Sequence, residues 1–351
     1  MSTQTMQQPV SDWAPLIGRC YLHPFWDYAL IGSAVSIPVI VLVLLYPEIT
    51  PESTDIKRNV FLLFNYAHFA SSAVRLYTKP GEVPHRAFAS YGLPAIAVFV
   101  TTMCILWPEI LGKHLWALAE TWSPYHYAAQ AYGLGLMYCF RSGCILNKFE
   151  KRLFWGICML PFVRAFLLAE ESGLAWFVEI QAYPAVASVI YKTGIALAVL
   201  IFALPNIVFF MLQDRGKTLP LIAWLIVATN GLWWVALSYT DAWFWATIFH
   251  SLQYLVIICI VHTQDKMKQP GNTKSPLFHV STFYLGSVFL GMFLFITWPL
   301  MYGWAGFNLE NSILMVWGTV NLHHFIVDGY IWRTAKKSAS AGTALAMPAP
   351  A

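Results

Sequence analysis

Apolar runs long enough to cross a bilayer recur from about residue 28 to residue 333, separated by short polar stretches. At about 20 residues per span, the pattern predicts helices over 27–46, 60–77, 88–107, 124–143, 153–169, 186–212, 219–239, 243–263, 279–301 and 312–333. The expected fold is all-α, a polytopic transmembrane helical bundle of about ten spans. Eight is the alternative count, because the fifth segment contains Arg164 and the sixth carries Lys192 and a kinking Pro205, so either can be re-entrant or interfacial. Residues 1–26 read as a cytoplasmic or interfacial N-terminal segment and 27–333 as a single transmembrane domain. Residues 334–351, rich in Ala, Ser, Lys and Pro without periodicity, read as a disordered tail.

Charge orients the bundle. Arg75, Lys79, Arg86, Arg141, Lys148, Lys151, Arg152, Arg215, Lys217, Lys266, Lys268, Lys274, Arg333, Lys336 and Lys337 fall on one side of the expected spans. Glu48, Glu52, Asp55, Glu109, Glu120, Glu170, Glu171, Asp241 and Glu310 favour the other, so both termini are expected in the cytoplasm. With 58% apolar residues, 11% charged and nearly the whole chain in apolar runs, no soluble catalytic domain is hidden here, and an integral protein of the cell (inner) membrane is expected. The net charge of +4 lies in alternate loops and does not suggest nucleic-acid binding. Cys20, Cys104, Cys139, Cys144, Cys158 and Cys259 form no Cys-x-x-Cys pair and sit mostly in apolar runs, as small core residues do. Met1 to Arg19 lacks a basic region leading into a short apolar core, so the first span is expected to persist in the mature protein.

In hydrocarbon a polar side chain must face protein, water or an ion, which makes the intramembrane histidines informative. His68 falls about halfway through the second span, His250 about a third of the way into the eighth, and His323 and His324 about halfway through the tenth. These three spans run in the same direction, so the imidazoles reach overlapping depths. Each has polar company at helical spacing: Asn65, His68, Ser72 and Arg75; His250, Gln253 and Tyr254; Asn321, His324 and Asp328. A fourth stripe, His126, Gln130, Gly133 and Arg141, descends the fourth span. Asn, Gln and His that merely bond across helices would explain any one stripe, but each such bond contributes only about 1 kcal/mol and Leu packing would serve as well.

Neutral imidazole is the commonest ligand of iron, copper and zinc, and a metal-bound histidine normally donates its other nitrogen to a carboxylate or amide. Asp328, Asn65, Asn321, Gln130 and Gln253 are candidates for that supporting role. Histidine-rich, thiolate-free ligation with a carboxylate suits non-haem iron that activates dioxygen, and a metal inside a greasy bundle implies a lipophilic substrate. Two other classes share these residues: a membrane electron carrier with b-type haem, and a proton-coupled transporter using Arg75, Arg141, Arg164, Lys192 and Asp328. Arg164 and Lys192 are expected to snorkel to the headgroups, and Asp328 to pair with Arg75 or Arg141.

Four short motifs in order, His23-Pro24-Phe25-Trp26-Asp27, His68-Phe69, His250-Ser251-Leu252-Gln253-Tyr254 and His323-His324-Phe325-Ile326-Val327-Asp328, resemble the Brp/Blh family of membrane-integral, iron-dependent beta-carotene 15,15'-dioxygenases. The resemblance covers about twenty residues. It implies a histidine-ligated iron oxygenase acting on a lipid, with His23, His68 and His250 as ligands and Asp27 and Tyr254 beside them. The second histidine of the family's His-Ser-x-x-His is Tyr254 here, so the fourth ligand falls to His323, His324 or His126. First-choice ligands are thus His68, His250, His323 and His324, with His23 and His126 second. The reactants expected are a lipid, isoprenoid or carotenoid-like molecule and dioxygen.

Overall fold

The structure, a computed structural model, describes residues 14–46, 49, 54–79, 82–237 and 243–332. Among them there are helices and turns but no strand. Helices occupy every expected segment: α1 Pro24–Leu45, α2 over 54–78, α3 Phe88–Leu106, α4 Lys113–Arg141, α5 Lys148–Leu168, α6 Pro184–Asp214, α7 Leu221–Ala236, α8 Trp243–Met267, α9 Pro276–Trp304 and α10 Leu309–Ile331. The expected tail, Arg333, Glu48, Glu52 and Asp241 lie outside the described residues.

Five helices, α1, α3, α6, α8 and α9, are long and apolar enough to cross a membrane, which marks a membrane protein. They fall into two kinds. Only 22% of the most apolar stretch of α6 and of α9 is buried inside the protein, against 67% for α8. The peripheral helices spend their apolar residues on outward faces, whereas α2, α4 and α10, which carry the histidine stripes, turn polar residues inward and so score as less apolar. α2 packs against α8, α9 and α10, and α4 against α5, α7 and α10, leaving α2, α4, α8 and α10 around the centre. Cys139, Cys144 and Cys158 are free thiols packed with Phe154, Leu212 and Ala223 in one of the surrounding apolar clusters.

Arg164 and the partner of Asp328 depart from expectation. Arg164 is buried rather than snorkelling, and its guanidinium donates to the carbonyls of Gly194 (3.1 Å) and Trp234 (3.3 Å). Lys192 is exposed. Arg75 pairs with Asp265 at 2.8 Å, and Arg141 donates to the Cys20 carbonyl, so neither neutralises Asp328.

The local feature that sets up the centre is a wide π-turn, Leu62–Tyr66, immediately before His68. A π-turn inserts a residue into the helical ladder and rotates everything that follows, a device frequent at functional sites. A second, Phe293–Thr297 in α9, lies against it, and the Tyr66 and Phe295 rings stack at 4.4 Å. The approach is close because position 291 is glycine: a Cβ there would lie 2.7 Å from the Tyr66 carbonyl carbon and oxygen.

Gly291→Ala should therefore destabilise the protein by about 1–3 kcal/mol through overpacking against backbone, read as a lower thermal midpoint in detergent. Gly286→Ala on the same helix, where the nearest atom is Val74 Cγ1 at 4.0 Å, should leave the midpoint unchanged or raised.

Candidate metal centre

Four imidazoles from four helices converge: His68 from α2, His126 from α4, His250 from α8 and His324 from α10. Ring centroids lie 4.5 Å apart for His68 and His324, 4.9 Å for His126 and His324, 5.0 Å for His68 and His250, 5.3 Å for His126 and His250, and 6.0 Å for His68 and His126. All four are buried, His68 completely. One nitrogen each of His68, His126 and His250 falls within 4.8 Å of the others, and the same holds for ligand atoms of His126, His324 and Asp328.

A neutral imidazole carries one N–H donor and one lone pair, and a buried polar atom without a partner costs about 1–3 kcal/mol. Neither nitrogen of His68 has a hydrogen-bond partner, nor does Nε2 of His250. His324 shows the same problem from the other side. Its Nδ1 lies 3.0 Å from Ser72 Oγ, which also bonds the Phe69 carbonyl at 3.2 Å, an obligate acceptor. With the hydroxyl proton on that carbonyl, Ser72 accepts from Nδ1–H. The lone pair is then on Nε2, which faces His126 Nε2 at 3.3 Å and Asp328 Oδ2 at 3.6 Å. A lone pair facing a carboxylate is repulsive unless a proton or a metal cation is shared between them.

These donors fit a metal ion. Imidazole nitrogens plus a carboxylate, without thiolate, form an N/O set that suits iron, zinc or copper. Ligands at about 2.1 Å in tetrahedral array stand roughly 3.4 Å apart, so the present spacing needs contraction by only about an ångström. The ring planes are held from behind. Tyr127 stacks on His250 at 3.6 Å and Phe325 on His126 at 4.4 Å, while the Tyr127 hydroxyl donates to Thr247 Oγ1 at 3.3 Å.

Asp328 accepts a short hydrogen bond from the Tyr254 hydroxyl, and this tyrosine, not Arg75 or Arg141, is its partner. The Tyr254 ring stands edge-on to His68 at 4.5 Å. Gln130 Nε2 donates to the His250 carbonyl (3.3 Å) and to Gln253 Oε1 (3.0 Å), and Gln253 in turn donates to the Ile31 carbonyl. The two amides thus tie α1, α4 and α8 together and touch the His250 main chain, not its ring. Asn65 Oδ1 accepts from Ser251 at 3.2 Å. Asn321 donates to the Trp317 carbonyl of its own helix.

Two proposed ligands stand elsewhere. His23 is exposed and caps the first turn of α1, its Nδ1 accepting from Phe25 N–H at 3.2 Å. Its motif partner Asp27 is fully buried, but accepts from the backbone N–H groups of Tyr21 and Leu22 and from the Tyr138 hydroxyl, which pins the N-terminal loop onto α4. His-x-x-x-Asp here is a capping device. His323, a quarter turn from His324, makes no ring contact with the four among the described residues, because a helix presents adjacent residues on different faces. Ser72, Tyr127 and Phe325 were not singled out as supporting residues from the sequence; Ser72 lies on the His68 stripe, but nothing distinguishes the two aromatic rings from ordinary core.

Two cavities reach the centre. The first, about 580 Å³, extends from His126 and His250 to Glu120, Arg164 and Glu170. The second, about 450 Å³, runs along α4 and α10 from His126, Tyr254 and Asp328. His126 and Phe325 line both.

Titration of the metal-stripped protein with Co²⁺, read by its visible absorption, should saturate in wild type and lose at least about tenfold in affinity in His68→Ala, His126→Ala, His250→Ala and His324→Ala. His23→Ala and His323→Ala should titrate like wild type; equal losses in all six would contradict this assignment. Compared with known protein families, curated proteins and solved structures, the chain matches none.

Proposed function

We propose that the protein is a membrane-embedded oxidoreductase, an oxygenase that uses non-haem iron on a lipophilic substrate with dioxygen. The observation that carries the reading is the convergence of four buried imidazoles, two of them with unpartnered ring nitrogens, at the meeting point of two cavities. The order of the histidine motifs, resembling the Brp/Blh oxygenases, supports it. In this reading all ten helices cross the cell membrane, and the cation-rich loops and both termini face the cytoplasm.

Iron bound by these histidines would supply a redox centre able to activate dioxygen. The chain's own residues do the rest. Tyr127 and Phe325 fix the ring planes, and Ser72 holds the His324 tautomer. Asp328 and Tyr254 hold a proton between Oδ1 and the phenol oxygen beside the cluster.

Elemental analysis and an absorption spectrum of protein purified without chelator test this directly. About one iron per chain and no Soret band are expected; protein free of transition metal, or a Soret band, would contradict it. Asp328→Asn should lower metal occupancy about 10- to 100-fold while the helical circular dichroism stays intact, and unchanged occupancy would reject a supporting role for Asp328.

A further inference from the structure

The two cavities differ in chemistry. The first has carboxylates and a guanidinium in its wall, from Glu120, Glu170 and Arg164. The second has no lysine or arginine among its lining residues; its one carboxylate, Asp328, already accepts the Tyr254 hydroxyl. Aromatic rings dominate its length, with Trp122 near one end and Trp332 near the other. Its flank is formed by Tyr125 and Trp155, which are 37% and 39% exposed on the outward faces of α4 and α5, where hydrocarbon surrounds a membrane bundle.

What keeps this space empty is unusual. Gly133 on α4 and Gly329 on α10 both line it, and a Cβ built on either would meet no atom within 4 Å. Glycine is a poor helix former, and neither position is glycine because helices approach closely there, in contrast to Gly291. Larger side chains would fit and would fill the cavity. Gly133 lies seven residues, two helical turns, beyond His126, and Gly329 lies four beyond Phe325, so each opens the face that carries a wall of the centre.

We infer that the second cavity is the substrate seat, that it takes a neutral single-chain lipid directly from the bilayer between Tyr125 and Trp155, and that Gly133 and Gly329 set its width. This rests on the proposed function for the chemistry that follows binding. The argument for the occupant is local: a wall without lysine or arginine offers an anionic headgroup no cation, and a volume of about 450 Å³ on an aromatic slot suits one chain rather than two. The portion of the chain beside His126 is then the portion presented to the metal.

The test uses the full protein in nanodiscs and hexadecane bearing a mid-chain diazirine, photolysed and mapped by mass spectrometry with and without excess unlabelled hexadecane. Wild type is expected to show competable adducts on α4 within 122–137 and on α10 within 325–332. Gly133→Leu and Gly329→Leu add a side chain to an otherwise open space and should reduce those adducts at least about tenfold, since a single extra methylene in an apolar pocket already costs about 10- to 200-fold. Gly286→Leu on α9, where the nearest atom is Val74 Cγ1 at 4.0 Å and which lines neither cavity, should label like wild type. Competable adducts on the walls of the first cavity, no competable adducts at all, or labelling unchanged in both cavity variants would overturn the assignment. Metal content measured on the same samples separates the two readings: metal bound without competable labelling rejects the seat alone, and labelling without metal rejects the redox centre alone.

Discussion

Burying imidazoles without partners is the constraint around which this structure is organised. Both nitrogens of His68 and Nε2 of His250 are buried without hydrogen bonds, and Nε2 of His324 faces His126 Nε2 at 3.3 Å and the Asp328 carboxyl at 3.6 Å. At about 1–3 kcal/mol for each orphaned atom, the first three alone cost roughly 3–9 kcal/mol. The net stability of a folded protein is about 5–15 kcal/mol. A fold that bears such a cost without return is hard to maintain, whereas a metal ion would take the one free lone pair of each ring and leave only the remaining His68 N–H without a partner. The polar atoms around the cluster are used differently. Ser72, Gln253 and Tyr254 have partners, and Gln130 donates through Nε2 while its Oε1 has none; these bonds fix tautomer, helix position or carboxylate orientation.

The rest of the architecture follows from turning the polar stripes of α2, α4, α8 and α10 toward one another. α6 and α9 present mostly outward apolar faces, and α8, the most buried of the strongly apolar helices, runs through the middle. The π-turn before His68 and the absence of a side chain at Gly291 let α9 press Tyr66 and Phe295 together, and this seats the second helix at the centre. Glycine thus has two opposite uses in one protein: at 291 it permits contact, and at 133 and 329 it preserves space.

Much of the helical layout was legible in the sequence because span length and apolar runs are dictated by the medium. The paired departures have physical causes. α2, α4 and α10 have apolar runs long enough to be placed as spans, yet they are less apolar than α6, α8 and α9, since part of each faces a polar interior. His68, His250 and His324 announced themselves by depth and by stripes at helical spacing. His126 ranked lower than its place in the cluster, because it lies outside the four motifs that carry the family resemblance. His23 drew attention through its spacing to Asp27, yet spacing does not separate a ligand pair from a cap and a buried backbone acceptor. Asp328 was assigned an arginine partner because charge is what sequence displays; a tyrosine hydroxyl from another helix is invisible until the helices are assembled. The π-turns, which rotate His68 relative to a regular helix, leave no sequence signature that periodicity detects.

The central claim is that these four imidazoles surround one metal ion. X-ray absorption at the iron edge of the purified protein measures this most directly. A shell of nitrogen and oxygen scatterers at about 2.0–2.2 Å, with the outer-shell pattern of three or four imidazole rings that falls by one in His68→Ala, is the predicted result. A first shell without imidazole scattering, or one unchanged by that substitution, would contradict it.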